Sequence, residues 1–252
     1  MMENQNSLLN PSRPSKLSRV KEYFENPETY LRGNYYLAVR AAIVREMLGE
    51  VSDSQIIDLG CGDGSISIQF LSKRTKVTFV DLSKSMLERT RSKIPRDYEA
   101  NATLINANVL RFETPLLYDI AICIGVLAHV ENVDELIEKL ASILRPGGRC
   151  ILQLTDYNKV LGKYSRFNLA LHGVFSKSGN GYSLNRTGLE EIISTAKRNG
   201  LVIHGSRRHS LMLPFMVRLP KEMLYRYDLR ISKSRLLSSC GKEAIVLFRK
   251  ET

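Results

Sequence analysis

The 252-residue sequence contains no tryptophan and only four cysteines, and its basic residues outnumber its acidic ones. The cysteines are Cys61, Cys123, Cys150 and Cys240, and no two of them have the C-x-x-C spacing of a zinc site or redox motif. Three of the four fall in apolar, strand-like runs. We therefore expect no disulfide framework and no metal site, and a reducing cytoplasmic location.

Long apolar runs are also missing. The longest uninterrupted one, residues 120–128, falls far short of the roughly 20 residues needed to cross a bilayer. The first 19 residues are polar and lack the apolar core of a signal peptide. We expect a protein that is neither secreted nor membrane-spanning. Its net charge of +11 suits a polyanion, an anionic membrane surface or a negatively charged small molecule, and charge alone does not choose among them.

Strand-like and helix-like segments alternate through most of the chain. This alternation predicts an α/β fold with a Rossmann-like, mainly parallel sheet, helices on both faces and an antiparallel last strand. The predicted strands cover residues 56–59, 76–81, 103–106, 119–124, 149–155, 201–208 and 243–250. The predicted helices cover residues 36–49, 65–72, 83–94, 133–144 and 187–200.

Local signals suggest where several of these segments begin and end. Ser83 is a predicted N-cap, "RPGG" is expected to end the helix over 133–144, and Thr187 and Glu190 have the spacing of a capping box. We expect a single domain over 1–252 with a loose arm at 1–18. Residues 156–182 and 210–237 interrupt the alternation and are predicted to be lid insertions that build an acceptor pocket.

The segment "IIDLGCGDGS" places Gly60, Gly62 and Gly64 between a predicted strand and a predicted helix. Such a turn brings bare backbone to the carboxyl edge of a parallel sheet, where α/β folds bind ligands. The dinucleotide fingerprint G-x-G-x-x-G is not met, because Ser65 stands where its last glycine belongs.

Acidic residues surround this turn. Asp58 precedes it and Asp63 lies within it, which disfavours a pyrophosphate and favours a ligand with a positive group. Asp81 ends the next predicted strand, where a carboxylate can accept hydrogen bonds from a ribose diol. The combination predicts a nucleoside ligand that carries an amino or sulfonium group.

Four segments in order, "IIDLGCGDGS", "VTFVDLSKSML", "YDIAICIGVLAHVEN" and "LRPGGRCILQL", resemble the successive motifs of class I S-adenosylmethionine-dependent methyltransferases. The resemblance covers residues 30–155 and is strongest to the small-molecule branch that includes ubiquinone, menaquinone and natural-product methyltransferases. It implies S-adenosyl-L-methionine as cofactor, S-adenosyl-L-homocysteine as product and a small-molecule acceptor. O-methylation in secondary or cofactor metabolism is the implied reaction.

The resemblance also implies site residues. Asp58 would lie near the amino group of the cofactor, and Tyr30 would lie over it. The positions implied to contact the methionine part are Gly60, Cys61, Gly62, Ile124 and Gly125.

At the nucleoside end, Asp81 would hold the ribose hydroxyls. Leu82 and Met86 would flank the adenine, and Asn108 and Val109 would meet its edge. Relatives usually carry aspartate at the adenine-contacting position, whereas "NANV" offers only Asn106 or Asn108. A neutral amide predicts a weaker contact there.

His129 follows the fourth predicted strand at the carboxyl edge. It is a candidate general base for an acceptor hydroxyl, and a structural role in orienting its loop is the alternative.

The chain lacks the motifs of many amino-methylating and pyrimidine-methylating nucleic-acid enzymes, which disfavours nucleic acid as a partner. An RNA methyltransferase, a non-catalytic cofactor-binding module and an NAD-binding protein remain alternatives. Peripheral membrane contact by the basic carboxyl-terminal region and the oligomeric state stay open.

Overall fold

The computed structural model describes residues 15–25, 35–156, 185, 187–211, 216, 218–234 and 237–252. Tyr30 and nearly all of the predicted insertion at 156–182 lie outside the described residues. The described strands are β1 (Gln55–Leu59), β2 (Lys76–Asp81), β3 (Ala102–Asn106), β4 (Tyr118–Cys123), β5 (Leu144–Thr155), β6 (Leu201–His209) and β7 (Glu243–Lys250). The described α-helices are α1 (Lys16–Glu25), α2 (Tyr35–Leu48), α3 (Lys84–Lys93), α4 (Val133–Ser142), α5 (Leu189–Arg198) and α6 (Lys221–Lys233).

The strands form one seven-stranded sheet in the order β3-β2-β1-β4-β5-β7-β6. The neighbours from β3 to β5 are parallel, whereas β7 runs antiparallel to both β5 and β6. The predicted mainly parallel sheet with an antiparallel last strand is therefore confirmed. Because the parallel strands share a direction, their carboxyl ends meet at one edge, which we call the carboxyl edge.

Each face of the sheet is covered by its own apolar cluster. On one face, Ile43 of α2 and Leu87 of α3 pack with sheet residues such as Ile122. On the other face, Leu140 of α4 packs with sheet residues such as Leu152. Successive strand residues alternate between these faces, as a sheet buried on both sides requires.

Two predicted helix starts have clear local causes. Ser83 caps α3 by accepting a hydrogen bond from the Met86 N–H at 3.2 Å, which confirms the predicted N-cap. Asn132 caps α4 by accepting from the N–H groups of Asp134 and Glu135. These caps satisfy backbone donors that a helix start leaves unpaired.

The helix predicted over 65–72 is wrong. The chain forms turns and a single 3₁₀ segment, Ile68–Phe70, in its place; Gly62 and Gly64, just before it, hold positive φ angles of 56° and 74°. The boundary predicted at "RPGG" is also wrong, since these residues belong to β5. Glycine is required at position 148, because a Cβ atom there would lie only 2.8 Å from the Arg145 carbonyl oxygen.

Two amino-terminal boundaries differ from their predictions. Helix α5 starts after Gly188, which provides no side-chain cap, so the predicted capping box of Thr187 and Glu190 does not form. Helix α1 begins at Lys16, inside the segment predicted as a loose arm. None of the described helices combines the length and the apolar character that a membrane span needs.

Candidate active site

A cleft of about 760 Å³, its open mouth included, lies at the carboxyl edge of the sheet. Nine of the residues predicted to bind a cofactor line it, as does His129. The nine are Gly60, Gly62, Asp81, Leu82, Met86, Asn108, Val109, Ile124 and Gly125.

The glycine turn forms one wall of this cleft. The N–H groups of Gly60 and Cys61 both donate to the Val80 carbonyl oxygen, at 2.7 and 3.1 Å, and so tie the turn to β2. Gly60 has a φ of 76°, and a Cβ atom there would lie 2.3 Å from Val126 Cγ2. Glycine is needed at this position for both its backbone conformation and the close approach.

Backbone hydrogen bonds to both of its carboxylate oxygens fix the Asp81 side chain. One carboxylate oxygen accepts from the Gly62 N–H at 2.8 Å, and the other accepts from the Ser83 N–H at 2.9 Å. Burial raises the pKa of Asp81, and these two backbone donors oppose the rise. A carboxylate has about four acceptor positions, so each oxygen can still accept a hydrogen bond from a ligand hydroxyl.

Asp58 and Cys61 are buried and are not among the residues that line the cleft. Asp58 is 2% exposed and accepts a hydrogen bond from Ser67 Oγ at 2.5 Å. Burial, reinforced by the carboxylates of Asp81 and Asp63, raises the pKa of Asp58 to about 7. Burial likewise raises the pKa of the Cys61 thiol. Direct contact of either side chain with a ligand stays a prediction.

The two asparagines near the predicted adenine edge have different positions. Asn106 uses its side-chain amide to donate to the backbone oxygens of Asp81 and Leu82, at 3.0 and 2.9 Å. Asn108 lines the cleft, and its Oδ1 accepts from the Leu110 N–H at 3.0 Å. Of the two, Asn108 is therefore the one placed to face a ligand. The hydrogen bond from the Leu110 N–H fixes the orientation of the Asn108 amide, including its N–H₂ group.

Helix α1 covers part of the cleft through Leu17, Val20 and Phe24, which the sequence reasoning missed. In the sequence, their spacing of three and four residues is what indicates an apolar face on this helix. The carboxyl end of α1 is attached to the start of α3. Ser83 Oγ donates to the Phe24 carbonyl oxygen at 3.0 Å, and the Glu25 carboxylate accepts from the Lys84 N–H at 3.2 Å.

The amino end of α1 is attached to the loop after β4. Asn185 Nδ2 donates to the carbonyl oxygens of Leu127 and Val130, at 3.0 and 2.7 Å. Lys16 Nζ donates to Asn185 Oδ1 at 3.0 Å and to the Val130 carbonyl oxygen at 2.7 Å. We call Lys16 and Asn185 the clamp, because together they join α1 to residues 127–130.

His129 lies in this clamped loop and lines the cleft. Its ring meets the Phe24 ring edge to face, with centroids 5.2 Å apart. Burial, together with the positive charges of Lys16 and Arg40, lowers the pKa of His129 to about 4. Its imidazole is therefore neutral near pH 7, which permits it to accept a proton but makes it a weak base.

Arg40 of α2 lies beside Gly125, which lines the cleft, and the sequence reasoning missed it. A Cβ atom on Gly125 would lie 3.6 Å from Arg40 Nη1 and 3.8 Å from Gln153 Oε1. Arg40 Nη2 is 3.7 Å from Glu243 Oε2, and its Nε has no partner among the described residues. No sequence motif could have singled out this arginine, because its position depends on how α2 packs over the sheet.

Known protein families match the central part of the chain. Residues 57–150 match the family model described as a methyltransferase domain. A ubiquinone biosynthesis O-methyltransferase from Rickettsia typhi is 32% identical over 110 residues, which is 44% of this chain and 44% of that protein. The protein of that name from Nitrosomonas europaea is 25% identical over 149 residues, or 58% of this chain and 63% of that one. The chain thus spans about half of the length of the curated relatives that it matches.

Solved structures share the fold over nearly the whole chain. Magnesium protoporphyrin IX methyltransferase from Synechocystis PCC 6803, crystallised with bound SAH, superposes with a TM-score of 0.65 and 18% identity over 94% of this chain and 100% of that one. The N-methyltransferase NodS from Bradyrhizobium japonicum WM9 does so with a TM-score of 0.63 and 13% identity over 95% of this chain and 100% of that one. Residues 57–150 thus match a methyltransferase domain, and the chain as a whole has the fold of these solved methyltransferase structures.

Proposed function

We propose that this chain is an enzyme that transfers a methyl group from S-adenosyl-L-methionine to a hydroxyl oxygen of a small molecule. The observation that carries the proposal is Asp81, a buried carboxylate that the backbone orients at the cleft of a methyltransferase domain. The curated relatives named ubiquinone biosynthesis O-methyltransferase support oxygen as the acceptor atom.

The residues around the cleft suit the proposed cofactor. Gly60 and Gly125 leave open backbone where side chains would approach Val126 and Arg40. Asp81 offers acceptors for the ribose hydroxyls, and the apolar side chains of Leu82 and Met86 suit the faces of the adenine. When bound, S-adenosylmethionine supplies a methyl group activated by its sulfonium charge.

Arg40 is the residue we assign to the cofactor carboxylate. Its guanidinium lies beside Gly125, on the side of the cleft where the resemblance places the methionine part. Its ion contact with Glu243 is longer than a hydrogen bond, and the Nε donor is unused among the described residues. A carboxylate would give this mostly buried cation the hydrogen bonds that it lacks.

For the reaction itself, the chain contributes positioning, exclusion of water and a proton acceptor. Helix α1 places Leu17, Val20 and Phe24 over the cleft, which keeps water from the reacting atoms. The neutral imidazole of His129 would accept the proton of the acceptor hydroxyl. Because burial lowers the pKa of His129 to about 4, the rate should rise with pH around that value and be flat near neutrality.

Titration calorimetry tests the cofactor assignment. S-adenosylmethionine and S-adenosylhomocysteine should bind, NAD should not, and Arg40→Met should weaken both adenosyl ligands. Arg45→Met is the matched control, because Arg45 is an exposed arginine of the same helix. Tight NAD binding, or equal affinity in Arg40→Met and the parent, would contradict the respective assignment.

A second measurement tests the reaction. Product formation from radiolabelled S-adenosylmethionine should occur with hydroxylated small molecules and fall strongly in His129→Ala, while cofactor affinity stays unchanged. Methylation of RNA in place of small molecules would favour the alternative of an RNA methyltransferase. Cofactor binding with no methyl transfer to either would favour a non-catalytic module.

A further inference from the structure

Buried polar atoms without partners are concentrated in one part of the described structure. Seven such side-chain atoms occur among the described residues, and all but one of them belong to five residues. The exception is Thr75 Oγ1. The five residues are Arg40, Gln153, His209, Ser210 and Asp228.

The register of the sheet places these groups in a row at the carboxyl edge. Thr155 of β5 lies opposite Glu243 of β7, and Glu243 lies opposite His209 of β6. Gln153, two residues before Thr155, points to the same face and donates to the Glu243 carboxylate. We call Gln153, Glu243, His209, Ser210 and Asp228 the polar row.

The polar row begins at the cleft and runs away from it. At its near end, Gln153 Oε1 lies beside Gly125, which lines the cleft. At its far end, Asp228 accepts a hydrogen bond from the Ser210 N–H at 2.9 Å. Neighbouring strands are about 4.8 Å apart, so the row spans roughly 10 Å from β5 to β6.

Some of these groups are buried without a full set of partners. His209 is 0% exposed and Asp228 is 1% exposed, yet among the described residues both His209 ring nitrogens and Asp228 Oδ2 lack partners. Ser210 also holds a φ of 65°, a left-handed conformation that is strained for a residue other than glycine. Unsatisfied buried groups and backbone strain are destabilising, and proteins keep them mainly where function needs them.

We propose that the polar row is the acceptor site of the methyltransferase and that the acceptor carries a hydrogen-bond donor, a hydroxyl or an ammonium group, at the end remote from the transferred methyl group. The proposal rests on the proposed function. The chemistry of the far end supports it, because Asp228 Oδ2 can only accept while ionised and Glu243 adds a second acid nearby. Neither acid suits a carboxylate or an apolar tail.

Four catechols with matched side chains test the proposal: dopamine, hydroxytyrosol, ethylcatechol and homoprotocatechuate end in an ammonium, a hydroxyl, a methyl group and a carboxylate. Their binding to the protein saturated with S-adenosylhomocysteine is measured by calorimetry. We expect dopamine and hydroxytyrosol to bind at least about tenfold more tightly than the other two, the scale of one hydrogen bond to a charged group. The order of these two shows whether the site prefers a cation or a neutral donor.

Asp228→Asn should remove this preference, because an amide N–H₂ then replaces the acceptor oxygen Oδ2. Asp97→Asn, at an exposed position, is the matched control and should keep the preference. Affinity for S-adenosylhomocysteine should be the same in both variants. Equal binding of the four catechols, no binding of any of them, or a preference that survives in Asp228→Asn would overturn the proposal.

Two further measurements distinguish failure of the acceptor-site proposal from failure of the proposed function and from a purely structural role of Ser210. Failure of S-adenosylhomocysteine to bind the parent would refute the proposed function, whereas cofactor binding with no catechol preference would refute only the acceptor site. Ser210→Gly removes an unpaired hydroxyl and relieves the left-handed strain, so its melting temperature should be no lower than that of the parent. It should nevertheless bind hydroxytyrosol less tightly. A clear loss of stability with unchanged binding would show that Ser210 is structural.

Discussion

Replacement of Asn185 by alanine should release one end of helix α1 from the cleft. The change removes three side-chain hydrogen bonds, which join Asn185 to Leu127, Val130 and Lys16 at 2.7–3.0 Å. The backbone bond from the Asn185 N–H to the Ala128 carbonyl oxygen, 3.0 Å long, is retained. The variant should therefore fold but hold α1 and residues 127–130 together less firmly.

The magnitude follows from the bonds that are lost. At a net 0.5–1.5 kcal/mol for each hydrogen bond, three bonds contribute about 1.5–4.5 kcal/mol to the closed clamp. Only part of this reaches the ligand, because Glu25 and Ser83 still hold the other end of α1. A transmitted loss of about 0.7–1.4 kcal/mol corresponds to roughly three- to tenfold faster dissociation of S-adenosylhomocysteine.

Stopped-flow dissociation of S-adenosylhomocysteine and hydrogen exchange measure this effect directly. We expect faster exchange at residues 16–25 and 127–130, with little change in the core strands. Asn199→Ala is the matched control, because the Asn199 side chain bonds only the nearby Thr195 carbonyl oxygen among the described residues. An unchanged dissociation rate in Asn185→Ala, or an equal change in Asn199→Ala, would refute the role of the clamp.

Three further predictions concern single residues. Asp81→Ala should weaken S-adenosylhomocysteine by about 1–3 kcal/mol in calorimetry, because it removes a charged acceptor and loosens the Gly62 turn; unchanged affinity would contradict the ribose assignment. Gly60→Ala should cost about 1–2 kcal/mol of stability for its left-handed backbone, plus the contact with Val126; adding Val126→Ala should restore only the contact part in thermal unfolding. Burial lowers the pKa of His209 to about 3 from an ordinary 6.5, so the unfolded state binds the extra proton and stability falls as pH drops below 6.5. His209→Phe should reduce that slope by about 1.4 kcal/mol per pH unit in urea unfolding, and equal slopes would contradict burial of a neutral imidazole.

Local sequence patterns determined the elements and the nucleoside side of the cleft. The strand alternation, the Ser83 cap and the glycine turn depend on residues that are neighbours in the chain, so spacing alone predicts them. Asp81 could be chosen in advance because the end of a parallel strand always lies at the carboxyl edge. Local spacing failed over residues 65–72, where turns and a 3₁₀ segment replace the predicted helix.

Tertiary structure alone decided what covers the cleft and what lies beside it. Asn185 contacts a loop more than fifty residues away, and the clamp it forms with Lys16 has no signal in either segment. The polar row exists because β7 inserts between β5 and β6, which brings Gln153, Glu243 and His209 side by side. A sequence specifies which side chains alternate along each strand, but strand order and helix packing determine which of them meet, because those depend on the burial of the whole apolar surface.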